Sequence, residues 1–255
     1  YVEKEQEADT LVVELADTVT GLKAELYYTV FAQGSAVARS VRYVNGGREA
    51  VYLERAMSLC LDLPDCDYDW VQLSGAWARE RHVIARRLAM GIQSVASLRG
   101  NSSHQHNPFL ALKRPATTEQ QGEAIGVSLV YSGNFLMQAE VDAHNCTRVL
   151  AGIHPDTFCW KLEPGESFQT PEAVIAYSCQ GLNGMSQAFH RLYQKRLARG
   201  YWRDKERPIL INNWEATFFD FTEEALLQIA RKAKECGVEM FVLDDGWFGG
   251  RRHEM

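Results

Sequence analysis

The sequence predicts a β-rich sandwich over residues 1–178, a helical connector over 179–206, and the start of a parallel β/α architecture over 207–255. Three observations predict it. Short apolar runs punctuated by turn residues fill the first two thirds, the pattern of a large antiparallel sandwich. Near residue 180 the apolar spacing changes to three and four residues, the period of a helix. From Arg207 onward a strand-like run, an amphipathic helix and a second strand-like run follow one another, which is βαβ order.

In the sandwich region, Leu11–Leu15 and Leu22–Val30 are separated by a short segment ending in Gly21, and Arg39–Val44 follows. Asn45-Gly46-Gly47 reads as a hairpin turn before Val51–Leu53. Further strand candidates are Trp70–Leu73, His82–Leu88, Ser94–Leu98, Ala124–Tyr131, Phe135–Val141 and Ala173–Tyr177, with Ser132-Gly133-Asn134 as another hairpin turn. Trp70, Trp77 and Trp160 read as sandwich core or rim. Gly181–Ala198 carries Leu182, Met185, Phe189, Leu192, Tyr193 and Leu197 on one face, has a basic far end and stops at Gly200. His190 on that helix reads as a packed or solvated histidine. In the last region, Ile209–Trp214 is the first strand. Thr222 caps a helix with Glu223 and Glu224 in its first turn, Gly237 ends it, and Val238–Leu243 is the second strand. One βαβ unit cannot bury its own sheet faces, so it is expected to begin either a (β/α)₈ barrel or a doubly wound sheet. With Tyr1 rather than Met at the start, the chain is expected to be a piece of a longer polypeptide. Residues 208–255 expressed alone are expected to be disordered or aggregation-prone.

A net charge of −6 with no basic stripe argues against a nucleic-acid binder. No apolar run approaches the roughly 18–20 residues of a membrane span. The six cysteines include no C-x-x-C pair and read as buried free thiols. Asn101 and Asn145 head Asn-x-Ser/Thr triplets that mean little without a secretory context. The polar stretch Arg99–Phe109 holds His104 and His106 but no third ligand in sequence, so it reads as a surface loop contacting a next domain or another subunit rather than a metal site. The acidic start, Glu3–Asp9, reads as solvated. No phosphate-binding loop, dinucleotide fingerprint, nucleophile elbow or H-E-x-x-H is present.

The chemistry is expected at the two parallel strand ends: Asn212-Asn213-Trp214-Glu215 on the first and Asp244-Asp245-Gly246-Trp247 on the second. Ligands bind at the C-terminal ends of strands in α/β architectures. Carboxylates beside a Trp suit a polyol such as a sugar, whose hydroxyls want acceptors and whose C–H face packs on a ring. Asp244 and Asp245 are consecutive and would diverge in an extended tip. They are therefore poor candidates for two carboxyl groups flanking one glycosidic bond, which sit about 5–5.5 or 6.5–9.5 Å apart. Accepting hydroxyl protons is the more natural role, and it calls for hydrogen-bond donors nearby. Glu215 could be a catalytic carboxylate or, as favoured here, a support for a neighbouring residue.

Asn212–Phe221 and Leu243–Gly249 closely resemble the start of the catalytic barrel in family 36 glycoside hydrolases, the bacterial and fungal α-galactosidases. Gln180–Ser186 and Arg99–His104 look like the same family, whereas Arg251-Arg252-His253-Glu254 departs slightly. The resemblance implies an N-terminal β-supersandwich, a helical connector and a (β/α)₈ TIM barrel of which the first two strands are present. It implies hydrolysis of terminal α-1,6-linked galactose from melibiose, raffinose-type sugars or galactomannan, with retention and no cofactor. Asp244 and Asp245 would bind the galactose C4 and C6 hydroxyls, and Trp214 would line the pocket. The family's nucleophile and acid/base are aspartates on later barrel strands, so no catalytic residue and no metal ligand is assigned, and the chain itself is expected to be inactive. The resemblance further implies a homo-oligomer, a tetramer, located in the cytoplasm if bacterial and secreted if fungal. Same-fold alternatives are a raffinose-synthase-type galactosyltransferase and an α-N-acetylgalactosaminidase. An alternative of another class is a non-catalytic carbohydrate-binding sandwich.

Overall fold

The computed structural model describes residues 7–31 and 34–248 and forms two compact units, 1–197 and 198–255. Part of the acidic run Glu3–Asp9, together with Gly249 and Arg251–Glu254, lies outside the described residues.

The first unit runs through β1 (Ala8–Ala16), β2 (Leu22–Phe31), β3 (Ala36–Asn45), β4 (Val51–Leu53), β5 (Met57–Leu63), β6 (Asp69–Ala76), β7 (Arg79–Arg87) and β8 (Gly91–Ser97). It continues through β9 (His106–Lys113), β10 (Ala124–Val130), β11 (Phe135–Val141), β12 (Thr147–Ile153), β13 (Trp160–Leu162), β14 (Ser167–Gln169) and β15 (Glu172–Ser178). A nine-stranded sheet follows the order β1-β2-β3-β15-β10-β9-β6-β7, with β14 also on β3; a four-stranded sheet follows β5-β12-β11-β8; β13 and β4 form a small third sheet. Every pairing between these named strands is antiparallel.

The core lies between the two large sheets. Trp70, Leu110, Leu112, Val127 and Leu129 face Leu59, Val95, Phe135, Met137, Val149 and Ala151. The alternate residues of the same central strands, Val71, Ala111, Ala124, Val174 and Ala176, point the other way, where helix α1 (Gly181–Leu192) packs through Met185, Ala188 and Phe189. Small side chains on that face let the helix approach. At Gly126 a Cβ would stand 2.5 Å from the Phe189 ring and 2.6 Å from the Met185 sulfur. The helix read as a connector is thus seated on the first unit, and a π-helical turn, Tyr193–Leu197, continues it. The Tyr193 hydroxyl donates to Ser128 Oγ at 2.6 Å.

Several expectations change. Asn45-Gly46-Gly47 is not a hairpin turn, because β4 pairs with β13 and not with β3. Asn45 is fully buried and donates from Nδ2 to the carbonyls of Glu49 (2.8 Å) and Leu162 (2.9 Å), which carries the chain from one sheet to the next. Ser132-Gly133-Asn134 likewise links two sheets, since β10 and β11 belong to different ones. The stretch read as a loop to Phe109 is shorter, with His106 opening β9. The cysteines are unpaired but not buried: Cys60, Cys159, Cys179 and Cys236 are exposed, and Cys66 and Cys146 half-buried. Trp70 is core, whereas Trp77 and Trp160 are exposed.

The second unit holds β16 (Leu210–Asn212), α2 (Trp214–Thr217), α3 (Glu223–Glu235) and β17 (Met240–Val242). Thr222 Oγ1 accepts from Ala225 N–H at 3.3 Å as the N-cap of α3, and Gly237 takes the left-handed conformation (φ +84°) just beyond its end. The two strands pair in parallel, Leu210 with Met240 and Asn212 with Val242. Both are shorter than the apolar runs that predicted them. No helix among the described residues is long and apolar enough to cross a membrane.

Candidate sugar-binding strand ends

The parallel register brings Asn212 and Asn213 beside Asp244 and Asp245. Asn212 Nδ2 donates to Asp244 Oδ2 at 2.6 Å, and Asn213 Oδ1 accepts the Asp244 backbone N–H at 2.9 Å. Asn213 is fully buried; its Nδ2 donates to Thr217 Oγ1 at 2.9 Å, and that hydroxyl donates back to the Asn213 carbonyl. One asparagine therefore clamps the backbone of the neighbouring strand end while the other engages its carboxylate.

Asp244 Oδ1 accepts the Asp245 N–H at 2.8 Å, and Asp245 Oδ1 accepts the Gly246 N–H at 3.0 Å. Each carboxylate is thus held by a separate backbone donor. Among the described residues Asp245 Oδ2 accepts no hydrogen bond. A carboxylate oxygen also has capacity for more than one donor, so both aspartates retain acceptor sites after their local bonds are made. Gly246 is left-handed (φ +93°), and a Cβ there would sit 3.0 Å from the Phe219 ring and 3.2 Å from that of Phe221.

Trp214 is not the end of a strand. Asn212 Oδ1 accepts its backbone N–H at 3.2 Å, which turns the chain so that Trp214 opens α2. Its half-buried ring is held edge-on by Phe219 (5.0 Å between centroids, 88°) and Phe218 (5.3 Å, 80°). Glu215 is exposed, and no side-chain partner is found for it among the described residues. Trp247 is exposed and packs on Phe248 at 5.5 Å. The supporting role of the two asparagines was missed at the sequence level; their adjacency at a predicted strand end was the available signal. No group of three or more His, Cys, Asp or Glu residues is arranged to hold a metal among the described residues.

The ends of the two parallel strands thus carry, after β17, two carboxylates with spare acceptor capacity and, after β16, an aromatic ring held by its neighbours. Comparison with known proteins gives that chemistry a family. Residues 1–163 match the glycosyl hydrolase family 36 N-terminal domain, and residues 167–255 match the melibiase model. The chain belongs to glycosyl hydrolase family 36, and its second unit is the start of that family's barrel. It is 57% identical over 251 residues to alpha-galactosidase AgaA of Geobacillus stearothermophilus, covering 98% of this chain and 34% of the relative. It is 49% identical over 251 residues to alpha-galactosidase Mel36A of Lactobacillus acidophilus, with the same coverage of 98% and 34%. A crystal structure of an AgaA variant in complex with 1-deoxygalactonojirimycin superposes with a TM-score of 0.97 at 56% identity, over 99% of this chain and 35% of that one. An AgaA variant in complex with stachyose gives 0.96 at 56% identity, with the same coverage of 99% and 35%. The chain spans about a third of the length of the curated relatives it matches.

Proposed function

We propose that this chain supplies the sandwich and the sugar-holding strand ends of a retaining α-galactosidase. In this reading Asp244 and Asp245 accept the galactose C4 and C6 hydroxyls and Trp214 lines the pocket. The observation that carries it is the asparagine lock: from the end of β16, Asn212 and Asn213 hold the Asp244 carboxylate and backbone N–H at the end of the parallel β17, with the Asp245 carboxylate next in the chain and acceptor capacity spare on both. The substrate class is a terminal α-1,6-galactoside, in keeping with the stachyose complex of a close relative. Residues 1–178 are the supersandwich, 179–206 the connecting segment and 207–255 the barrel's opening part, within an enzyme that assembles as a homotetramer. Neighbouring carboxylates that hold two hydroxyls do not perform bond cleavage; that falls to aspartates on later barrel strands.

In a chain of the relatives' length carrying these residues, Asp244→Asn and Asp245→Asn each lower kcat/KM on an aryl α-galactoside by about 30-fold or more, equivalent to ~2 kcal/mol of transition-state binding. Near-unchanged kcat/KM would sink the assignment.

A further inference from the structure

The polar stretch around Arg99–His106 has no part in the proposed sugar site. It borders an open concavity of about 460 Å³ on the first unit, lined by Ser74, Arg79, His82, Arg99, Gln105 and His106 among others. The sheet register explains how its floor forms. Ser74 on β6 pairs with His82 on β7 and with His106 on β9, so the three side chains stand abreast on one face.

A file of hydrogen bonds reaches this row from the core. The buried Trp70 indole N–H donates to Gln72 Oε1 at 2.9 Å, Gln72 Nε2 donates to Ser74 Oγ at 2.9 Å, and Ser74 Oγ lies 3.0 Å from His106 Nδ1. An indole can only donate, so the direction is fixed from that end. Ser74 has its proton left to give, and every member is satisfied when His106 accepts at Nδ1 and carries its own proton on Nε2. Burial, and then the charge of Arg99, hold His106 below the ordinary imidazole range, which agrees with a neutral ring. Arg79 and Arg99 have no carboxylate partner among the described residues, and no acidic side chain lines the concavity.

We propose that this concavity is an oxyanion site taking a phosphate group, bound by the Arg79 and Arg99 guanidiniums with the His106 Nε2–H as a directed donor. Free phosphate and a phosphate ester share the chemistry. Two fixed positive charges suit a dianion, and planar guanidiniums suit its oxygens.

The test is imidazole ¹⁵N NMR of the 255-residue chain titrated with inorganic phosphate and, in parallel, with galactose 1-phosphate. The expected result is a saturable shift of the His106 Nε2 signal with one or both, the tighter ligand identifying the source. Binding weakens by at least about tenfold in Arg79→Ala/Arg99→Ala, one charged contact's worth. It is unchanged in Arg81→Ala, an exposed arginine of the same strand outside the concavity. Neutral galactose gives no shift at His106, and Asp244→Asn leaves the phosphate response intact. The proposal is overturned if neither phosphate ligand gives a saturable shift, if the double variant responds like the parent, or if Arg81→Ala weakens binding as much as the double variant does.

Discussion

At the scale of single residues, the buried Asn213 ties the strand-end site together, since its amide binds the Asp244 N–H and Thr217 Oγ1 at once. Asp244, Asp245 and Trp214 stood out in the sequence because carboxylates and an aromatic ring at strand ends have few structural uses. Asn213 did not, because amide side chains at a strand end are ordinary loop composition until the neighbouring backbone is placed. Its two partners make it testable. In Asn213→Ala the Asp244 N–H and Thr217 Oγ lose a buried partner together, at a cost of about 1–3 kcal/mol. Urea unfolding followed by Trp214 fluorescence, with the other tryptophans replaced, should show that loss; an unchanged midpoint would mean that the asparagine does not clamp the strand end. A second residue-scale effect lies on the sandwich. Arg114 engages Asp65 through Nη1 and Nη2 (2.6 and 3.1 Å), reaches Glu123 through Nε at 3.1 Å and stacks 4.0 Å over Tyr68. Arg114 and the Asp67 N–H hold the Asp65 carboxyl below its usual range. A carboxylate depressed in the folded state contributes stability that is present above its unfolded pKa of about 3.9 and is lost as pH falls toward the folded value. Asp65→Asn should therefore be less stable than the parent at pH 6, with the gap closing below about pH 4. A gap that stays constant through that range would exclude the linkage.

At the scale of elements, the patterns that failed did so for identifiable reasons. Strand β9 was hidden by Pro108, a residue that ordinarily demotes a strand. Its ladder on β10 stops at Phe109, and its register with β6 shifts between Gln72 and Ser74. Pro108 thus occupies a stretch where a missing N–H is tolerated. Asn45-Gly46-Gly47 and Ser132-Gly133-Asn134 were legible as turns but not as crossings, since turn chemistry records a change of direction and not which sheet receives the chain. The cap and stop of α3 were readable in full, because Thr222 and Gly237 act locally. The seat of α1 was not, because its determinant is the absence of a side chain on another element. Gly126→Ala should displace Phe189 and Met185 and destabilise the first unit by about 1–3 kcal/mol through overpacking. Near-UV circular dichroism and thermal melting read both effects, and a melting temperature within 1–2 °C of the parent would show that the helix simply shifts to accommodate it.

At the scale of the whole molecule, the two units differ in how much they bury, and their stabilities should differ with it. The first unit has a core on both faces of its large sheet, with Trp70, Leu110, Ala111, Phe135 and Met137 fully enclosed. Among the described residues of the second unit, Ala233 is the buried apolar side chain, while Ile209, Leu210, Ile211, Met240, Val242 and Leu243 are exposed. Its strands are three residues each and rest on a single parallel pairing. Apolar burial supplies most of the free energy that offsets chain ordering, so the βαβ unit should open far more often than the sandwich. Native-state hydrogen exchange of the 255-residue chain tests this directly. Amides of β9, β10 and β11 should exchange only through global opening. Those of β16 and β17 should exchange with opening free energies lower by several kcal/mol, as expected for a locally unfolding segment. Addition of the remaining barrel strands should raise the protection of β16 and β17 and leave that of the sandwich strands nearly unchanged. Equal protection of both sets in the 255-residue chain would show that the strand-end site is preformed without the rest of the barrel.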